Sequence, residues 1–270
     1  MNMTENLALG DEIFSRLRQA KHTHFKSAEL MQLAYEAFKL VINSVGSKIK
    51  EKLTLQYPLG LHPDGNPIVG TQKYTKDEFI QHNVILAESA LPIQGIYGLV
   101  TTMESMFGDL IKIICAKYPQ KLGGKRTISL ESIVSCENIE DVRMACINDL
   151  LNDLSYKSPR DFAQQAESIM SIKLLEIPEY HKYIELKATR DVHIHNDGIA
   201  NTIYAKKVES HARVQVGTDL PVTNQYFLDR YEACLKLIEV MQSKFHDVWP
   251  SQLYIDLKNE SKGQVNKPSE

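Results

Sequence analysis

Apolar residues recur at intervals of three and four along most of this chain, and that periodicity restricts it to a helical fold. From Ser27 to Leu55 the residues Leu30, Leu33, Ala34, Ala37, Phe38, Val41, Ile42, Val45, Ile49 and Leu53 mark one face of a long amphipathic helix. Ser27 serves as its N-cap and Glu29 stands in its first turn. A shorter helix is expected ahead of it, near Glu5 to Ala20. The stretch from Tyr57 to Pro67, rich in proline and glycine, reads as loop and as a subdomain boundary. Asn83 to Ser89 opens the next helix, with Pro92 and Gly95 placed to kink it. A second long helix, Ile96 to Tyr118, carries Leu99, Met103, Met106, Leu110, Ile113 and Ile114 on its apolar side and stops before Pro119.

Further helices are expected at Leu130–Val134, Ile139–Leu154, Ser158–Met170 and Pro178–His193. Ser158-Pro159 is a start signal, because proline suits the first helical turn. Ala212 to Val222 reads as extended or coiled, and a last helix spans Asn224 to Trp249. Strand signals are scarce and no repeat is present. The expectation is an all-α antiparallel helical bundle over residues 91–257. A helical extension of unassigned role, 1–90, precedes it, and a polar tail, 258–270, follows.

Composition narrows the function. The net charge is −3, so any contact with a polyanion has to use a local patch. The four cysteines form no CxxC pair and three lie in helical segments, which reads as a reduced, intracellular chain. The N-terminal residues lack a signal-peptide pattern, and no uninterrupted apolar run approaches membrane-spanning length. A cytoplasmic protein without membrane contact is expected. The absence of a glycine-rich phosphate loop, a nucleophile elbow and a CxxC pair removes the common nucleotide-binding, esterase and zinc-ribbon classes.

The chemistry concentrates in Arg190-Asp191-Val192-His193-Ile194-His195-Asn196-Asp197-Gly198, which gathers one guanidinium, two imidazoles and two carboxylates into nine residues. Cutting RNA without a metal needs a base for the 2′-hydroxyl, an acid for the leaving oxygen and a cation for the phosphorane. Histidine, with an ordinary pKa of about 6.5, suits the first two roles and arginine the third. Arg190 and His193 share a helix face, whereas His195 lies well round the cylinder unless the helix loosens there or a second copy faces it. Gly198 is placed to take the left-handed conformation that stops the helix.

Rival readings stay open. His193-Ile194-His195-Asn196-Asp197 is also an HxHxD string of the kind metallohydrolases use for zinc, although a helical pattern precedes it and Gly198 stands where a closing histidine is usual. The cluster equally fits a helix terminus whose charges pair locally. Lys121, Lys125 and Arg126, in a basic loop after the second long helix, are candidate RNA-backbone contacts. A solvated helix end explains them as well. Glu104, set inside an apolar stretch, is a candidate for partial burial near the motif.

Residues from about Ile96 to Trp249 resemble a standalone HEPN domain of the RiboL-PSP/MAE type. The matching pieces are Leu99–Leu110 with Tyr118-Pro119, Ser158–Phe162, Glu185 with the Arg190–Gly198 string, and Val216–Thr223. The resemblance implies an antiparallel bundle that homodimerises and places two Arg-x4-6-His motifs in one composite cleft. It implies a metal-independent endoribonuclease of bacterial defence, toxin–antitoxin or growth-control systems, with no cofactor. Arg190 and His195 would be the catalytic pair and Asp191 their support; His193 is added on chemical grounds. An antitoxin or defence partner would engage the N-terminal extension. The alternative is an inactive dimeric module that binds RNA or protein.

Overall fold

The structure, a computed structural model, describes residues 3–44, 52–123, 127 and 129–265. It is mostly helical, and the described strands form a single two-stranded sheet. The chain divides into two compact units. The first comprises Met1–Lys26, Ile96–Leu220 and Asp229–Glu270; the second comprises Ser27–Gly95 and Pro221–Leu228.

The first unit holds the Arg190 motif. Its elements are the first half of α1 (Met3–Ser44), most of α3 (Leu91–Lys117), α4 (Leu130–Val134), α5 (Ile139–Ser155), α6 (Pro159–Met170), α7 (Pro178–His195), α8 (Thr202–Val208), most of α9 (Asn224–Val248) and α10 (Gln252–Val265). Along α3 the buried residues Leu99, Val100, Met103, Met106, Phe107, Leu110, Ile111 and Ile114 repeat at three and four, the stripe the periodicity predicts. Each such side chain taken from water stabilises the fold by roughly 1.5–3 kcal/mol. By length and composition the helical run Lys76–Lys117 could cross a bilayer, yet these α3 residues are buried among protein side chains.

Polar ties fix the helices around that stripe. Arg16 Nε donates to Asp109 Oδ2 at 2.7 Å, joining α1 to α3. Asp11 accepts from the Ser251 hydroxyl at 2.7 Å, joining α1 to the start of α10. Between these, Gly10 lets α1 approach the backbone of Trp249 and Pro250 so closely that a Cβ would overlap the Pro250 carbonyl.

Ser158-Pro159 and Gly198 act as the start and stop signals expected of them, and Asn138 adds an N-cap to α5. The Asn138 side chain accepts from the backbone N–H groups of Glu140 and Asp141, and the Ser158 hydroxyl accepts from Asp161 N–H with Pro159 in the first turn. At the end of α7, Asp197 and Gly198 turn left-handed with φ of 48° and 77°, and Gly198 N–H reaches back to Val192 O at 3.3 Å.

The second unit departs from the sequence expectation. Of the helix predicted over Ser27–Leu55, the part Ser27–Ser44 is the continuation of α1, which runs unbroken through Ser27 and through the position expected to separate two helices. Residues 45–51 lie outside the described residues, and Lys52–Leu55 are strand and not helix. Residues expected as loop form a hairpin, β1 (Lys52–Leu61) paired antiparallel with β2 (Pro67–Thr75). Pro58 is tolerated because the register shifts between Pro58 and Gly60, and because both strands of a two-stranded sheet are edges. The turn is closed by Gly65 at φ 84° and by His62 N–H donating to Asn66 O at 2.8 Å. After the hairpin come α2 (Lys76–Ile85), capped by a reciprocal Thr75–Glu78 box, and a π-helical turn over Leu86–Ala90. That turn sits just ahead of Pro92, which has no N–H to continue a regular ladder. The C-terminal stretch expected as a polar tail is helical as far as Val265, within α10.

Candidate functional site

Helix α7 carries its chemistry on one edge. Lys187, Arg190 and Asp191 follow an i, i+3, i+4 spacing, so they stack along the same side of the cylinder. The neighbouring face, with Tyr180, Tyr183, Ile184, Ala188 and Val192, is buried and holds the helix in place. The charged edge meets Glu104 of α3 and Lys207 of α8. Lys187 Nζ lies 2.7 Å from Glu104 Oε1, and Arg190 Nη2 donates to both Glu104 oxygens at 2.9 and 3.0 Å. Arg190 Nη1 stands 3.5 Å from Asp191 Oδ1, and Lys207 Nζ donates to Asp191 Oδ2 at 2.9 Å. The result is an alternating chain of charges, Lys187–Glu104–Arg190–Asp191–Lys207, each partly open to water. Arg190 Nε is buried and has no hydrogen-bond partner among the described residues.

This chain forms one wall of an open cavity of about 550 Å³. The remaining lining includes Phe107, Phe162, Tyr180 and Tyr183, with Tyr156 and Lys157 from the turn that links α5 to α6. Tyr180 donates its hydroxyl to Pro159 O at 2.7 Å and so ties α7 to the start of α6. Burial pushes the Tyr180 phenol far above its usual range. Burial does the same to Tyr183, with the Glu104 charge adding to it. Both phenols therefore keep their protons at neutral pH and line the cavity as neutral groups.

On its buried side α7 carries a second polar cluster. Glu185, 2% exposed, accepts from the Thr189 hydroxyl at 2.7 Å and from Arg213 Nε at 2.8 Å, and faces Arg230 Nε at 3.3 Å. The Tyr204 hydroxyl donates to the same carboxylate at 3.3 Å. A buried charge needs this many partners to be tolerated. The cluster fixes α7 against α8, the Arg213 segment and α9, and thereby fixes the rotation that presents Arg190. Glu185 belonged to the matching string, but its arginines lie 28 and 45 residues further along the chain, and no local spacing connects them.

The motif's histidines are placed differently from its arginine. His193 is half-buried; its Nε2 lies 2.8 Å from Leu220 O and donates to it in the neutral tautomer. Burial, reinforced by the Arg213 charge, pulls its pKa below the ordinary value, and the Leu220 bond partly offsets this. Its ring also packs against Gly198, where a Cβ would sit 3.1 Å from Cε1. His193 thus pins the strand-like Leu220 segment to the end of α7. His195 is exposed, ends α7 and is not among the cavity-lining residues. Five residues of regular helix put it about 140° round and ~7.5 Å along from Arg190. The loosened last turn allowed for in the sequence does not occur before His195, since Asn196 N–H still bonds Val192 O at 2.8 Å.

Among the described residues, no three His, Cys, Asp or Glu side chains are arranged to hold a metal ion. Of the basic-loop candidates, Lys125 and Arg126 lie outside the described residues. Lys121 has a structural post: its ammonium donates to Ser168 O, Ile169 O and Ser171 Oγ at 3.2, 2.8 and 2.9 Å. These bonds occupy all three donors at the C-terminus of α6, and none is left for an RNA phosphate. Comparison with family models, with curated proteins and with solved structures finds no match to this chain.

Proposed function

We propose that this chain is a metal-independent endoribonuclease of the HEPN type, working as a cytoplasmic homodimer in bacterial defence or growth control. The observation that carries the reading is the setting of Arg190. Its guanidinium lines an open cavity beside Lys187 and Lys207, with one buried N–H unsatisfied, on the same helix that ends in an exposed imidazole. In the proposed reaction His195 accepts the proton of the RNA 2′-hydroxyl as that oxygen attacks phosphorus. The bond to the 5′-oxygen breaks, and a protonated imidazole returns a proton to the leaving oxygen. Arg190 binds the non-bridging oxygens as negative charge builds on the phosphorane. Asp191 steadies Arg190 and takes no proton itself. Because Arg190 and His195 point away from each other on one helix, each site would combine Arg190 of one copy with His195 of another.

One observation favours a second reading. Glu104 already holds Arg190 through both carboxylate oxygens, an arrangement that suits a dimeric RNA- or protein-binding module without activity. Cleavage of total RNA by the wild type, Arg190→Ala and His195→Ala in EDTA separates the two. EDTA-resistant cleavage that both substitutions abolish, in folded variants, is the expected result. No cleavage by the wild type across substrates and salt would overturn the nuclease reading in favour of the binding module.

A further inference from the structure

We propose that the Arg190 cavity is a nucleotide-binding subsite that takes one unpaired nucleotide of single-stranded RNA, its base on Tyr156 and Phe162 and its phosphate on Arg190, Lys187 and Lys207. The inference rests on the RNA reading above for the source of the nucleotide, and on the cavity's own chemistry for the rest.

The cavity lining offers two kinds of contact. Lys157, Lys187, Arg190 and Lys207 outnumber Glu104 and Asp191, so the site carries a positive surplus inside a chain whose net charge is −3. An anion gains there what the molecule as a whole would repel. Much of the remaining lining is aromatic. Phe107 is buried and stacks edge-on against Phe162 at 5.5 Å, which leaves Phe162 half-open toward the cavity. Tyr156 is 84% exposed at the end of α5, an unusual position for a large ring, and it lines this cavity. A ring held at the mouth of a cationic cavity offers a stacking surface that any base accepts.

The ligand class follows from the pair of features. An acidic peptide would use the cations and leave the rings idle, whereas an apolar ligand would bury the positive surplus that Glu104 and Asp191 leave unbalanced. A nucleotide uses both kinds of contact. A cavity of about 550 Å³ has the size of a small-molecule site and admits one nucleotide, not a duplex. An unpaired nucleotide is also the form in which RNA exposes its base for stacking.

Fluorescence anisotropy with a labelled 2′-O-methyl hexanucleotide, which cannot be cut through its 2′-oxygen, tests the assignment. Tyr156→Ala should weaken binding by roughly 5- to 150-fold, the range for loss of one base–aromatic stack. Tyr156→Phe should retain it. Lys207→Ala should weaken binding and reduce its salt dependence. Unlabelled nucleoside monophosphate should compete better than the matching nucleoside or inorganic phosphate. Unchanged binding by Tyr156→Ala, or equal competition by inorganic phosphate, would overturn the subsite. A monophosphate that binds more tightly than the hexanucleotide would overturn RNA as the source and assign a free nucleotide instead. Cleavage of unmodified RNA is scored separately. Cleavage that Tyr156→Ala leaves intact, together with unchanged probe binding, removes the subsite and keeps the nuclease. Probe binding that depends on Tyr156 in a wild type that cuts nothing keeps the subsite and removes the nuclease.

Discussion

Neither ring nitrogen of His24 has a hydrogen-bond partner among the described residues, and the side chain is wholly buried in α1. Burial lowers its pKa from 6.5 to about 4. The unfolded chain therefore binds this proton more readily than the folded one. Stability is unaffected above pH 6.5 and falls as the pH drops from there towards about 4, by up to ~3 kcal/mol at the bottom of that window. His24→Leu should remove this loss, so that the variant melts above the wild type at pH 5 and the gap narrows at pH 8. Thermal melts at both pH values check this, and an equal gap at the two would show that His24 is not the titrating group. Nothing local marks His24 as buried, since it stands among Lys21, His22 and Thr23 in the sequence. At the site, Asp191 as a companion of Arg190 was legible, and so was Glu104, a carboxylate inside an apolar stripe. The Leu220 carbonyl that claims His193 is 27 residues away, so a residue read as chemical is held by a contact the sequence does not display.

Helix α7 owes its orientation to a buried carboxylate more than to its caps. Glu185→Gln would leave Arg213 and Arg230 facing a neutral amide in a dry setting, and losing one partner of a buried ionic cluster costs about 3–5 kcal/mol. Urea unfolding should show that loss, and RNA binding should weaken with it because Arg190 rides on the same helix. A variant as stable as the wild type would mean the cluster contributes nothing net, as some buried pairs do. The elements from α3 to α7, and α9, were legible because their caps and stops lie within six residues of the groups they satisfy: Ser158 with Asp161, Asn138 with Glu140, and Gly198 with Val192. Helix α8 was not among the helices expected. The hairpin was not, although Leu53, Leu55, Tyr57, Leu59 and Leu61 alternate with period two and Asp64-Gly65 is a turn signal. Pro58 and Gly60 interrupt that alternation with turn formers, and Leu53 fits the end of a helical stripe equally well. Whether such a segment becomes strand is decided by pairing with β2, a choice that only the partner strand can make.

At the scale of the molecule, the question is how one helix can supply two groups that face apart. Arg190 looks into the cavity while His195 stands exposed about 140° away on α7, so a single copy cannot bring both to one phosphate without unwinding the end of the helix. That unwinding is opposed by the left-handed stop at Asp197 and Gly198 and by the packing of His193 beneath it. A second copy solves the problem without strain. Ile194, next to His195, is 46% exposed, and Ile203 on the adjoining α8 is 61% exposed, apolar surface suited to contact between copies. If the site is composite, Arg190→Ala and His195→Ala should each be inactive alone but partly active when mixed. A mixed dimer regains one complete site from the His195 of one copy and the Arg190 of the other. Random exchange makes half the dimers mixed, with one of two sites intact, so about a quarter of wild-type cleavage should return. The measurement is RNA cleavage by the co-refolded pair against each variant alone, with dimerisation followed by light scattering. Activity that never returns in verified mixed dimers would place both groups of each site in the same copy, and α7 would then have to open at its end before it could cut.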